Sequence, residues 1–135
     1  VRLGDDKVVV DSIVGDVRGM HAIVLDDEIA TGGSILEIVN RLADYGAVSA
    51  SVATTHGLFT GKAVEKLTNC DGISEIVATN TVPAPQNFPK LTSLSVASLF
   101  AEAIHRIHGG KSVSKLFNNV DPQYAPPPPV TEGLF

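Results

Sequence analysis

A chain of 135 residues with a formal net charge of −5 is long enough for one core and short for a complete nucleotide-using enzyme. The acidic balance and the lack of a basic cluster argue against a nucleic-acid partner, no apolar stretch is long enough to span a bilayer, and nothing in the first residues reads as a signal peptide. Cys70 is the one cysteine, which excludes an internal disulfide and a cysteine-built metal site and fits a reducing cytoplasm.

The chain starts with Val1 rather than Met, and its opening is expected to be the middle of a longer protein. Lys7 to Val10 and Asp11 to Val14 are β-rich, with turn signals at Gly15-Asp16 and Arg18-Gly19, so extended strands should lead into a central strand. Ala22 to Leu25 is a short apolar run suited to that buried strand. Beyond a loop, Ile35, Ile38, Val39 and Leu42 recur at helical spacing and predict a helix from Ser34 to Tyr45, closed by Gly46. Val48 to Thr54 reads as a second buried strand, followed by a connection over His56 to Gly61 and a short helix from Lys62 to Asn69. Glu75 to Ala78 is a third strand, and the proline-bearing stretch Thr81 to Lys90 is a loop. Leu91 to Val96 is a fourth strand, and Ser98 to His108 a helix with Leu99, Ala103, Ile104 and Ile107 inward, stopped by Gly109-Gly110. Alternation of apolar strands with helices predicts an α/β fold with a doubly wound, mostly parallel sheet. The segment from Asp121 to Phe135, with prolines from Pro126 to Pro129, is expected to be an extended or disordered tail.

In such sheets ligands bind beyond the carboxyl ends of the strands, where the segment Asp26-Asp27-Glu28-Ile29-Ala30-Thr31-Gly32-Gly33-Ser34 falls. Gly32 and Gly33 remove the Cβ atoms that would hold a ligand off the backbone, and the following helix start offers unpaired N–H groups to an anion. Asp26 and Asp27 accept hydrogen bonds from hydroxyls and repel phosphate. Acid at one end and bare N–H at the other point to a ligand with hydroxyls at one end and phosphate at the other. Each residue also has an ordinary structural use: Ser34 with Glu37 makes an S-x-x-E capping box, and aspartates after strands often cap turns. Two competing nucleotide motifs fail. Gly57 to Lys62 is one residue short of a P-loop and is followed by Ala63 rather than Ser or Thr, and no G-x-G-x-x-G is present. His105 and His108 lie three apart on a helix without a third ligand nearby, so no metal site is assigned to them.

The run from Val24 to Ser34 resembles the PRPP-binding loop of type I phosphoribosyltransferases and of ribose-phosphate diphosphokinases (PRPP synthetases): apolar residues, two acids, three variable residues, Thr, two small residues, then Ser or Thr. Four further segments resemble the PRPP synthetases specifically. These are Thr54 to Ala63, Val77 to Pro83, Leu99 to His108, and Ser112 to Phe117 with its Ser-Val-Ser start. The resemblance covers nearly all of residues 1–120, and implies a phosphoribosyltransferase-like C-terminal domain over that range, incomplete as a fold, followed by the Pro-rich tail 121–135.

The resemblance further implies transfer of the diphosphoryl group of Mg-ATP to the 1-hydroxyl of ribose 5-phosphate, giving PRPP and AMP for nucleotide biosynthesis. Asp26 and Asp27 would hold the ribose hydroxyls, and Thr31, Gly32, Gly33 and Ser34 the 5-phosphate. Arg2 falls at the Arg of a mobile Lys-x-Arg catalytic loop whose Lys would precede Val1. The Mg2+ ligands and much of the ATP site would lie in the N-terminal half of the same enzyme, so this piece alone should be inactive. Ser112 and Ser114 would contribute to a regulatory phosphate or ADP site between subunits of a homo-oligomer of the hexamer-of-dimers type. Ala30 stands where many members carry a third Asp. A free-standing phosphoribosyltransferase and a non-catalytic regulatory subunit are the alternatives.

Overall fold

The computed structural model describes residues 2–3, 7–8 and 13–118, in two compact units, Val1–Val96 and Ala97–Phe135. In the first unit a minimal antiparallel pair, β1 (Arg2–Leu3) and β2 (Lys7–Val8), precedes β3 (His21–Ile29), α1 (Gly33–Asp44), β4 (Ser49–Gly57), α2 (Ala63–Thr68), β5 (Ile73–Thr79) and β6 (Leu91–Leu94). β3 to β6 form one parallel sheet in chain order, so the expected α/β class with parallel pairing is present. Crossovers that all step one way along a sheet put their helices on one face. Accordingly α1 and α2 share a single core with that face.

The core follows from side-chain periodicity. Alternate strand residues Val24, Ala50, Val52, Ile76 and Ala78 meet Ile35 and Val39 of α1 and Ala63 and Leu67 of α2, each helix contributing an i, i+4 pair. Phe88, from the loop between β5 and β6, is buried and meets Phe59 edge-on with ring centroids 5.1 Å apart. Lys90 fixes the end of the same loop by donating from Nζ to the Cys70 carbonyl at 2.6 Å. At the other end of the sheet, Arg18 pairs with Asp16 at 2.7 Å and holds that carboxyl below its usual range, while Gly19 donates to the Gly46 carbonyl. The entry to β3 is thereby tied to the turn that ends α1.

Several expectations are corrected. β3 is an edge strand of the four, pairing with β4 alone among the described residues, and not a central one. It also runs to Ile29, so Asp26 and Asp27 lie within the strand rather than in a loop. The ladder explains this, since Asp26, Glu28 and Ile29 keep register with Thr54, His56 and Gly57. Of the β-rich opening only Lys7–Val8 is a described strand; Ile13 and Val14 take no regular structure, and Val14 is almost fully exposed. The remainder of that opening and the tail 121–135 lie outside the described residues.

The second unit holds α3 (Ala97–His108) and α4 (Lys115–Asn118). α3 carries an i, i+4 ion pair, Arg106 Nε to Glu102 Oε1 at 2.7 Å, and closes through Gly110 at φ 64°, with the Lys111 N–H on the Arg106 carbonyl. Leu99, Ile104 and Ile107, expected inward, are exposed.

Gly57, at the end of β4, has no room for a side chain. An added Cβ would overlap the Phe59 ring, lying 2.8 Å from Cζ and 3.1 Å from Ala78 Cβ. Gly57→Ala should therefore cost about 1–3 kcal/mol through overpacking, read as a lower urea midpoint; a midpoint equal to wild type would show that the ring relaxes freely.

Candidate functional site

At the carboxyl edge of the sheet β3 delivers a half-buried Asp26 and exposed Asp27 and Glu28, then Ile29 turns inward and is almost fully buried. The burial pattern changes phase across the acids, since Val24 and Ile29 are both buried although five residues apart, and the Asp27 N–H donates to Asp26 Oδ1 at 2.9 Å. Asp26 is thus partly engaged by its own backbone, while Asp27 and Glu28 have no side-chain partner among the described residues. Four residues after Ile29 the chain is helical.

The turn at Gly32 makes that change of direction. Gly32 is buried and sits at φ 74°, left-handed backbone that favours glycine, and an added Cβ would lie 3.1 Å from Leu67 Cγ. It is the N-cap of α1, and the first helical bond runs from the Leu36 N–H to its carbonyl at 3.1 Å. The N–H groups of Gly33, Ser34 and Ile35 therefore have no intrahelical acceptor. No acidic residue occupies the first turn, and no side chain caps it. The capping-box role for Ser34 is not realised, because Ser34 lies inside the helix and its hydroxyl has no partner among the described residues. Thr31 completes the rim: its Oγ1 would stand 3.7 Å from a Cβ built on Gly33. Thr31, Gly32, Gly33 and Ser34 are thus brought together around a positive helix end.

One supporting element was not expected from the sequence. The Leu58 and Phe59 N–H groups both donate to the Ile29 carbonyl at 3.0 Å, and the Thr60 N–H donates to the Ala30 carbonyl at 2.8 Å. This turn after β4 grips the cradle at its entry. To make those bonds Phe59 adopts φ 44°, rare for a bulky residue. Such backbone costs on the order of 1–2 kcal/mol, whereas burying an aromatic ring contributes about 1.5–3 kcal/mol. Ring burial outweighs the strain. The signal that would have revealed it is an aromatic two residues after a buried glycine at a strand end, as in Gly57-Leu58-Phe59.

The remaining candidates lie elsewhere or carry no described side chain. Arg2 is in β1, and its side chain lies outside the described residues. Ser112 and Ser114 belong to the second unit and are exposed; their carbonyls accept from Arg106 Nη1 at 3.4 Å and from the Phe117 N–H at 3.1 Å. Among the described residues no group of three or more His, Cys, Asp or Glu side chains converges as a metal site.

Comparison with known proteins gives a consistent result. Residues 6–118 match the family described as phosphoribosyl synthetase-associated domain. A putative ribose-phosphate pyrophosphokinase of Streptomyces coelicolor is 48% identical over 119 residues, spanning 87% of this chain and 38% of that protein. The ribose-phosphate pyrophosphokinase of Caldanaerobacter subterraneus is 47% identical over 108 residues, spanning 78% and 34% respectively. Among solved structures, phosphoribosylpyrophosphate synthetase from Mycobacterium smegmatis superposes with a TM-score of 0.69 at 41% identity, over 72% of this chain and 33% of that one. The chain spans about a third of the length of the relatives it matches.

Phe59 offers a sign test of the grip. At ordinary backbone positions alanine is more stable than glycine, but left-handed φ reverses the order. Both Phe59→Ala and Phe59→Gly should lose about 3 kcal/mol or more with the ring, and the glycine variant should be the more stable of the two by about 1 kcal/mol in urea denaturation. Alanine proving the more stable would refute the strained turn.

Proposed function

The chain belongs to the phosphoribosyl synthetase-associated domain family, and from that premise we propose that it is the ribose 5-phosphate- and PRPP-binding part of a ribose-phosphate diphosphokinase. The observation that carries this reading is the polarity of the segment 26–34. Carboxylates occupy the last turn-ward stretch of β3 up to Glu28, a capless and acid-free helix start follows, and only the three-residue turn Ala30 to Gly32 separates strand from helix. The helix end suits a dianionic phosphate, through the N–H groups of Gly33 and Ser34 and the hydroxyls of Thr31 and Ser34. Asp26 and Asp27 suit ribose hydroxyls and keep the phosphate from binding in the reverse sense.

The reaction is transfer of the diphosphoryl group of ATP to the sugar 1-hydroxyl, giving PRPP and AMP. The part assigned to this chain is positioning, which for phosphoryl-type transfer is much of the catalysis. Charge neutralisation by Mg2+ and binding of ATP are assigned to the N-terminal half of the same enzyme, with Arg2 supplying a cation to the transferred phosphates. Ser112 and Ser114 are assigned to a regulatory phosphate or ADP site in a cytoplasmic homo-oligomer. The family assignment and the shares of the relatives covered support this division of labour.

Two measurements test it. With the full-length protein, AMP and PRPP should form from Mg-ATP and ribose 5-phosphate. Base-dependent diphosphate release would instead indicate a free-standing phosphoribosyltransferase, and binding without turnover a regulatory subunit. By calorimetry, Asp27→Ala should weaken ribose 5-phosphate by about tenfold or more, the effect of losing a charged hydrogen bond, with inorganic phosphate unchanged. Equal affinity for the sugar phosphate would remove Asp27 from the site.

A further inference from the structure

His56 is the penultimate residue of β4, between the stretch level with the acids of β3 and the turn that grips the cradle. It is level with Glu28, two residues beyond the position level with Asp26, and immediately precedes Gly57 and the Leu58 to Thr60 grip. Its imidazole is held by a network at the same edge. His56 Nδ1 lies 2.8 Å from Thr81 Oγ1, Thr81 Oγ1 is 2.9 Å from the Thr55 carbonyl, Thr79 Oγ1 is 2.7 Å from that carbonyl, and the two threonine oxygens are 3.0 Å apart.

Counting protons favours one tautomer of the neutral ring. Four short contacts join these groups, and the two hydroxyls bring one proton each. If Nδ1 is bare, Thr81 must turn its proton to the ring, and two of the four contacts are then oxygen against oxygen with no proton between. If Nδ1 carries a proton and donates to Thr81 Oγ1, three protons serve the four contacts. The second arrangement gains one hydrogen bond. Neutral His56 is then protonated on Nδ1, and Nε2 carries an exposed lone pair with no partner among the described residues.

We infer that His56 Nε2 accepts a hydrogen bond from a sugar hydroxyl of the bound sugar phosphate. The inference rests on the sugar-phosphate reading of the segment 26–34 and adds a contact from the neighbouring strand. The chemistry suits the place: an edge already carrying Asp26, Asp27 and Glu28 gains an acceptor without a further negative charge that would repel a phosphate. Thr79 and Thr81 act as positioning residues, because their hydroxyls fix which ring nitrogen is free.

The test uses the intact protein, with ribose 5-phosphate, inorganic phosphate and AMP titrated into wild type, His56→Asn and Thr81→Val. The asparagine amide can still donate to Thr81 but has no counterpart of Nε2, so a purely structural histidine would tolerate it. His56→Asn should bind ribose 5-phosphate about fivefold or more weakly, as expected for one lost hydrogen bond, with inorganic phosphate and Tm unchanged. Thr81→Val should weaken the sugar phosphate in the same direction. Long-range 1H–15N spectra of the neutral wild-type imidazole should show Nε2 unprotonated. Wild-type affinity in His56→Asn, or an Nε2–H tautomer, would overturn the inference. A loss confined to AMP would overturn it by giving the contact to a nucleotide ribose. If wild type holds ribose 5-phosphate no better than inorganic phosphate, the sugar-phosphate reading fails first, whatever the tautomer.

Discussion

The Ile29 carbonyl accepts two N–H groups, from Leu58 and Phe59, and the arrangement of the ligand edge depends on that convergence. Ile29 is the last residue of β3 and its register partner Gly57 the last of β4, so beyond this point neither strand has a ladder to hold it. Without the turn, the chain from Ala30 to Gly32 would have no hydrogen bond of its own between the end of the ladder and the start of the helix. With it, both ends of the cradle are fixed: one by the sheet and the grip, the other by Ile35 and Val39 in the core. Gly57 and Phe59 make the turn feasible together, because the ring occupies the space a Cβ on Gly57 would need.

The same fixing gives the site its direction. A helix start without an acidic first turn presents a positive end, and three acidic residues at the end of the preceding strand present the opposite. A flexible loop between them would let the two ends drift or pair with each other. Here the spacing is set by elements with buried anchors. His56 extends the acceptor edge onto β4, held by three threonine groups in a web that also joins β4 to the exit of β5.

Local chemistry made much of this legible in the sequence. The apolar periodicities of Ile35 to Leu42 and of Ala63 to Leu67 emerge as the buried faces of α1 and α2, and the strand runs found parallel partners in chain order. Gly32 marks the turn for the same reason it builds it, since left-handed backbone favours glycine. Long-range pairing hid the rest. The continuous apolar run ends at Leu25, so the strand's extension through two aspartates and a glutamate to Ile29 depends on β4 supplying a ladder out to Gly57. The grip of Leu58 to Thr60 on Ile29 and Ala30 joins segments nearly thirty residues apart, and no local pattern encodes it. Ser34 misled in the other direction: its S-x-x-E spacing is real, but Gly32 at φ 74° starts the helix two residues earlier.

Ala30 enters the geometry of the turn through its backbone alone. The residue contributes its carbonyl to the Thr60 N–H at 2.8 Å, a bond that belongs to the backbone and that any side chain would permit. A third aspartate there would add negative charge between the acids of β3 and the helix start, where the ligand's phosphate lies under the proposed function. Its absence therefore leaves the distance between the two ends as the sheet and core set it, and reduces repulsion of the phosphate. Under the proposed function, selectivity for a sugar phosphate rests on engaging the acids of β3 and the helix start together rather than on the number of acids, because only a ligand with both hydroxyls and phosphate engages both ends at once.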